Sequence, residues 1–92
     1  MRISYDPAKN IRNIRERGLS FDAAVDFDFG SALFTVDDRR EYGETRFVAI
    51  GMLAERLHVL CFKEVSDGIR VISFRRANER EVNRYAKVQA AD

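Results

Sequence analysis

This chain of 92 residues contains no tryptophan and only one cysteine, one proline and one histidine. The single Cys61 cannot form an intrachain disulfide, and it predicts a reducing, cytoplasmic setting. One histidine and one cysteine give no metal-ligand spacing, so we predict no metal site and no cofactor. No apolar run approaches the roughly 18 residues of a membrane span, and charged residues interrupt any apolar N-terminal segment.

Lysine is also scarce, since 13 of the 16 basic residues are arginine. The formal net charge is only +1, so polyanion binding would have to come from a local patch. Residues 1–18 carry five basic and two acidic groups, residues 69–87 carry six and two, and residues 22–44 carry two and seven. If the two basic ends meet in the fold, they form a positive face; a solvated surface of mixed charge is the alternative.

The first part of the chain predicts a short strand at Ile3–Tyr5 and two helices. The first helix begins after Asp6, which can cap it, and ends at Gly18. Its apolar stripe, which we expect to face the core, consists of Ala8, Ile11 and Ile14. Its opposite, solvated side carries Lys9, Arg12, Asn13 and Glu16. The second helix is short and runs from Phe21 to about Phe27, with Ser20 as its cap.

The rest of the chain predicts four strands and a closing helix. The strands are Ala32–Val36, Thr45–Leu53, Arg56–Val65 and Ile69 to Arg75 or Arg76. A charged loop over residues 37–44 turns at Gly43, and the two later turns are short, so these strands should be antiparallel. The closing helix begins at Asn78 with Glu81 as its capping-box partner. We therefore predict a single α+β domain over residues 1–92, with a mostly antiparallel sheet, two N-terminal helices on one face and a C-terminal helix that closes it.

Three arginines mark the junction between the last strand and this helix. Arg75 and Arg76 lie at the strand end and Arg70 inside the strand, and guanidinium groups fit phosphate oxygens in bidentate fashion. Strand alternation predicts that Arg70 and Arg76 share one face and that Arg75 points to the other. The alternative is that these arginines form ion pairs with nearby carboxylates.

Three short motifs, in order along the chain, resemble those of one protein family. They are Asp6-Pro7-Ala8-Lys9 with Asn13, Gly18, Phe21 and Ala24; Gly43-Glu44-Thr45-Arg46 with Gly51; and Ile69-Arg70-Val71-Ile72-Ser73 with Arg75-Arg76-Ala77, Glu81 and Tyr85. Together they resemble the BrnT toxins of type II toxin–antitoxin systems, compact members of the RelE-type ribonuclease superfamily, from Tyr5 to Tyr85. The chain departs from the family where Tyr5 replaces a tryptophan and where Glu16-Arg17-Gly18 replaces Lys-His-Gly.

The resemblance implies a ribonuclease toxin with a RelE-like fold that cleaves RNA without a metal ion and inhibits translation. It also implies a cognate antitoxin that neutralises the toxin, and a toxin–antitoxin complex that binds its own operator DNA. The ribose 2′-oxygen would attack the adjacent phosphate while arginine side chains balance the developing charge. The implied catalytic residues are Glu44, Arg46, Arg70, Arg75 and Arg76, and the implied RNA contacts are Lys9 and Arg17.

Several alternatives remain open at the level of sequence. Glu44 is the best carboxylate for proton abstraction, but its arginine-rich setting favours a structural ion pair. His58 lies in the middle of a strand, where a structural histidine is more common than a catalytic one. Because arginine cannot act as a general base, Arg17 keeps a non-catalytic antitoxin- or nucleic-acid-binding module possible. A homodimer could cover the strand residues that are apolar on both faces.

Overall fold

The computed structural model describes residues 1–38 and 41–91, which form a five-stranded sheet, two α-helices and two 3₁₀ helices. The predicted loop over residues 37–44 includes Arg39 and Arg40, which lie outside the described residues. The strands are β1 Arg2–Ser4, β2 Leu33–Val36, β3 Phe47–Leu53, β4 Arg56–Val65 and β5 Gly68–Arg76. The helices are α1 Pro7–Arg17, the 3₁₀ helices Phe21–Asp26 and Phe29–Ser31, and α2 Glu79–Ala90.

The sheet has the strand order β1-β5-β4-β3-β2. The predicted α+β class is confirmed, but the sheet is mixed rather than mostly antiparallel, because β1 runs parallel to β5. The predicted layout of two N-terminal helices on one face is also wrong, because α1 lies along the edge of β5 and the 3₁₀ helix Phe21–Asp26 packs on the core. Gly68 permits this pairing, since a Cβ there would collide with the backbone of Arg2. The pairing joins residues 66 positions apart in the chain, so no local turn signal in the sequence could indicate it.

The core lies between one face of the sheet and the first 3₁₀ helix. Phe21, Ala24 and Phe27 are buried against sheet residues that include Leu60 and Phe74. The predicted second helix is therefore present, but as a 3₁₀ helix that ends at Asp26. Ser20 caps it as expected, accepting a hydrogen bond from the Asp22 amide at 3.1 Å.

Helix α1 has the predicted ends but not the predicted orientation. Asp6 accepts a hydrogen bond from the Ala8 amide at 3.0 Å, and Gly18 ends the helix in the left-handed region at φ 65°. The expectation that the isoleucine stripe faces the core is wrong, because Ile11 and Ile14 are 57% and 46% exposed. Asn13, expected on the solvated side, is only 6% exposed. Polar contacts therefore fix this helix on the sheet, and its apolar stripe faces solvent.

Helix α2 follows β5 and is tied to it by the carboxylate of Glu81, which accepts two hydrogen bonds from Arg75. The predicted capping box is confirmed, because Asn78 and Glu81 each accept a hydrogen bond from the other's backbone amide at 2.9 Å. Further along the helix, the Tyr85 hydroxyl donates to the Ser31 carbonyl at 3.1 Å. The helix therefore connects the end of β5 to the segment that precedes β2.

A β-bulge in β5 changes which arginines share a face. Cys61 pairs with Ser73 but Phe62 pairs with Val71, so Ile72 is an extra residue on β5. A bulge reverses the alternation of the residues that follow it. Arg70 lies opposite Lys63 and Arg76 opposite His58, which are on different faces of β4. The prediction that Arg70 and Arg76 share a face is therefore wrong, and Arg75 shares a face with Arg70 instead.

Candidate active site

A basic groove runs between α1 and the end of β5, and we call it the α1–β5 groove. It exists because β1 pairs with β5 only as far as Arg70, which leaves the rest of that strand edge to α1. An open cavity of about 570 Å³ forms one part and is lined by Arg17, Gly18, Leu19, His58, Arg75 and Arg76. A second cavity of about 230 Å³ continues along the helix and is lined by Lys9, Arg12, Asn13, Glu16, Arg17, Phe21, Ile72 and Ser73. Arg17 lines both cavities, so the two basic ends of the chain meet there.

Asn13 holds Arg17 in this groove. Its side-chain amide donates to the carbonyls of Leu19 and Phe74, at 2.9 Å each, and so ties α1 to β5. Its Oδ1 accepts a hydrogen bond of 2.8 Å from Nη1 of Arg17. The guanidinium of Arg17 is therefore fixed at one corner, and its other nitrogen atoms remain available to a ligand.

The two adjacent arginines at the end of β5 have different surroundings. Arg75 donates from both terminal nitrogens to the two carboxylate oxygens of Glu81, at 2.8 Å each. The hydrogen bond from Arg75 is the main cause that lowers the pKa of Glu81 below its usual value. The side chain of Arg76 forms no hydrogen bond or ion pair with any residue in the described ranges. Arg75 therefore anchors α2, whereas the Arg76 guanidinium is available at the groove.

His58 is a groove residue that sequence analysis favoured as structural. It lies opposite Arg76 in the β4–β5 pairing, and its ring is 5.7 Å from that of Phe74. Its Nδ1 is 2.9 Å from the Arg56 carbonyl oxygen. Counting back from the Asp67-Gly68 turn without a bulge would place His58 opposite Arg75. Because the extra residue Ile72 shifts the register, the pairing of His58 with Arg76 could not be predicted from the sequence.

Glu44 belongs to a separate ion-pair cluster. Its carboxylate accepts hydrogen bonds from Lys63 at 3.0 Å and from Arg46 at 3.1 Å. These two hydrogen bonds, with that from Lys63 the larger cause, lower the pKa of Glu44. The Arg46 guanidinium also stacks 3.9 Å above the ring of Tyr42. A carboxylate whose pKa is lowered is a poor general base near neutral pH.

The predicted site residues therefore separate into two groups. Lys9, Arg17, Arg75 and Arg76 line the α1–β5 groove, although Arg75 is engaged by Glu81. Glu44 and Arg46 meet at Lys63, and Arg70 lies exposed opposite the same lysine. Lys63 follows His58 by five positions on β4, which corresponds to about 17 Å along the strand. Sequence analysis missed Lys63 and the anchoring role of Asn13, because both depend on strand register and helix orientation.

Residues 1–38 and 41–91 contain no group of three or more His, Cys, Asp or Glu side chains arranged to hold a metal ion. None of their helices is long and apolar enough to span a membrane.

The fold is a small α+β domain in which Arg17, Arg75 and Arg76 line one open cavity. A family model described as "Ribonuclease toxin, BrnT, of type II toxin-antitoxin system" matches residues 5–81. The match covers most of the 92 residues, so the chain belongs to the BrnT family of ribonuclease toxins. The comparison with curated proteins gave no match. Family membership confirms the resemblance seen in the three sequence motifs, and a type II system implies a cognate antitoxin as partner.

Proposed function

We propose that this toxin is a metal-independent endoribonuclease that holds the scissile phosphate of single-stranded RNA between Arg17 and Arg76. The observation that carries the proposal is the convergence of these two side chains on one open cavity. Neither guanidinium is neutralised by a carboxylate among the described residues, so both can bind an anion. Cleavage of cellular RNA at this site would inhibit translation.

The chemistry requires stabilisation of negative charge more than it requires a strong base. When the ribose 2′-oxygen attacks, charge builds on the non-bridging oxygens of the phosphate. Guanidinium groups at fixed positions donate short, charge-assisted hydrogen bonds to such oxygens. Removal of one donor of this kind costs about 2.7–4 kcal/mol in the transition state, or about 100- to 1,000-fold in rate.

The groove also offers contacts for neighbouring nucleotides. Lys9 and Arg12 line its continuation along α1. Eight residues separate Lys9 from Arg17, which corresponds to about 12 Å along a helix. Exposed cations over that distance suit electrostatic contacts with a flexible RNA backbone, and such contacts weaken as salt concentration rises. We therefore assign Lys9 to RNA binding and leave Arg75, Glu44, Arg46 and Arg70 out of the reacting centre.

The antitoxin would neutralise the toxin by binding the exposed side of α1 beside this groove and overhanging its opening. Ile11 and Ile14 are exposed on α1, next to the basic side chains of Arg12 and Arg15. A partner helix with apolar residues flanked by carboxylates fits such a surface. Occupancy of this surface would block access of RNA phosphates to Arg17, and the resulting complex could carry the operator-binding activity of the system.

The test uses purified protein and an unstructured RNA oligonucleotide in excess EDTA. We expect cleavage into products with 2′,3′-cyclic phosphate and 5′-hydroxyl ends. Arg17→Ala and Arg76→Ala should each lower the rate by about 100- to 1,000-fold.

The matched control is Arg15→Ala, which removes the same charge from the exposed side of the same helix. It should leave the rate within about threefold of the parent, because remote exposed charges act only through a screened field. RNA that stays intact in EDTA but is cleaved when Mg²⁺ is added would contradict the metal-independent mechanism. RNA that binds tightly yet stays intact under both conditions would indicate a binding module.

A further inference from the structure

His58 is the only histidine in the chain, and the fold brings it into the cavity that Arg17 and Arg76 also line. The residue is 6% exposed, so most of the ring is packed in the protein. Phe74 lies beside it, with ring centres 5.7 Å apart. The imidazole therefore has a fixed position beside the proposed phosphate site, whereas Glu44 is paired with Lys63 and Arg46 at the other end of β4.

The hydrogen bond of His58 determines which ring nitrogen carries the proton. Nδ1 lies 2.9 Å from the carbonyl oxygen of Arg56. A carbonyl oxygen can only accept a hydrogen bond, so Nδ1 must be the donor. In the neutral ring the lone pair then belongs to Nε2, which is the nitrogen that can accept a proton. A backbone partner that orients a histidine in this way is common where the other nitrogen has a chemical role.

Nε2 also has access to solvent. In the described part of the chain, every fully buried side-chain nitrogen or oxygen has a hydrogen-bond partner. Nε2 of His58 has no such partner among the described residues. Nε2 is therefore not fully buried, and the cavity shared with Arg17 and Arg76 is the opening that this ring lines. A ribose whose phosphate binds these arginines would place its 2′-hydroxyl in the same space.

We propose that His58 is the general base of the reaction and takes the proton of the ribose 2′-hydroxyl on Nε2. The 2′-oxygen then forms a bond to phosphorus, the bond from phosphorus to the 5′-oxygen breaks, and the 5′-oxygen takes a proton from water. The products are a 2′,3′-cyclic phosphate and a 5′-hydroxyl, and the imidazolium returns its proton to solvent. The substrate class is single-stranded RNA with a free 2′-hydroxyl at the cleaved position. This inference rests on the proposed ribonuclease function.

Two substitutions separate the base from the structural hydrogen bond. In His58→Asn the amide nitrogen takes a place near that of Nδ1 and can still donate to Arg56, but Nε2 is lost. In His58→Gln the amide lies near the place of Nε2, and the bond to Arg56 is lost. General-base catalysis typically contributes about 100- to 10,000-fold, so we expect both variants to lose at least about 100-fold in cleavage rate. His58→Asn should bind a 2′-O-methyl RNA within about threefold of the parent affinity.

Chemical modification tests the same inference without a substitution that could unfold the protein. Diethylpyrocarbonate acylates accessible histidine nitrogen, and His58 is the only histidine available. We expect acylation to abolish cleavage and 2′-O-methyl RNA to protect against it. The reagent should have little effect on the residual activity of His58→Asn.

The outcomes separate this inference from the proposed function. If the parent cleaves RNA in EDTA and His58→Asn cleaves it equally well, His58 is not the base although the ribonuclease function stands. Loss of activity in His58→Gln alone would show that only the bond to Arg56 matters, and would also overturn the inference. If the parent protein does not cleave RNA, the proposed function fails and the role of His58 fails with it.

Discussion

Asn13→Ala is the substitution that should most clearly separate the polar anchoring of α1 from ordinary surface effects. The Asn13 side chain forms three hydrogen bonds, to the carbonyls of Leu19 and Phe74 and from Arg17. The Phe74 carbonyl is of particular importance, because β1 pairs only with Gly68–Arg70 and cannot reach it. Alanine would leave this carbonyl without its hydrogen-bond donor beside the core.

The expected loss of stability follows from these contacts. Three hydrogen bonds at about 1 kcal/mol each give about 3 kcal/mol, and a buried unsatisfied carbonyl costs about 1–3 kcal/mol. These two estimates refer to the same contacts and are not added together. We therefore expect a total decrease of about 2–4 kcal/mol in the free energy of unfolding. With an unfolding entropy of about 2.1 cal/mol/K per residue, a loss of 3 kcal/mol corresponds to a decrease of about 15 °C in Tm.

Urea denaturation and thermal unfolding measure this loss directly. The control is Asn83→Ala, since Asn83 is exposed on α2 and its side chain forms no hydrogen bond with a residue in the described ranges. Alanine there should change the free energy of unfolding by no more than about 0.5 kcal/mol. If Asn13→Ala were as stable as Asn83→Ala, the polar contacts of α1 would not hold this helix in place, and the assignment of Arg17 to the groove would lose its basis.

Three further substitutions test other parts of the fold. Because Arg75 lowers the pKa of Glu81 below its usual value of 4.5, their pair stabilises the fold above about pH 4.5 and loses this effect as the pH falls through the lowered pKa. Arg75→Ala should therefore cost about 1 kcal/mol at pH 7 in urea denaturation, and the gap to the parent should narrow under acid conditions; a constant gap would contradict this reasoning. Gly51→Ala places a Cβ 2.7 Å from the ring of Phe27, so we expect a loss of about 1–3 kcal/mol in thermal unfolding unless the ring moves aside. Glu44→Gln should lower stability only slightly at low salt, and a difference that persists at high salt would show that its exposed ion pairs are stronger than we infer.

Local signals predicted the elements that depend on neighbouring residues. The caps at Asp6, Ser20 and Asn78 and the stop at Gly18 occur where the sequence places them. These features depend on contacts within three or four positions, which the sequence displays directly. The strands β3 and β4 also follow the predicted runs closely, because apolar and β-branched residues are bounded by short turns.

Non-local contacts account for the errors. The periodicity of α1 is amphipathic, but the isoleucine stripe faces solvent because Asn13 donates to the Phe74 carbonyl, which lies beyond the part of β5 that pairs with β1. The sequence shows Asn13, but it does not show that β1 stops pairing with β5 at Arg70 and leaves the Phe74 carbonyl for Asn13 to bind. Similarly, the pairing of β1 with β5 joins residues more than 60 positions apart, and the glycine that permits it resembles an ordinary turn residue.

The bulge at Ile72 determines how the two adjacent arginines divide their roles. In a regular hairpin Arg75 would lie opposite His58, and Arg76 would lie beyond it on the other face. The extra residue moves the register by one, so Arg76 pairs with His58 and Arg75 turns towards Glu81 on α2. One arginine therefore anchors the closing helix while the other remains available at the groove with Arg17. The same shift brings the only imidazole of the chain next to the Arg76 guanidinium, so a single inserted residue in β5 assembles the chemistry that we assign to this site.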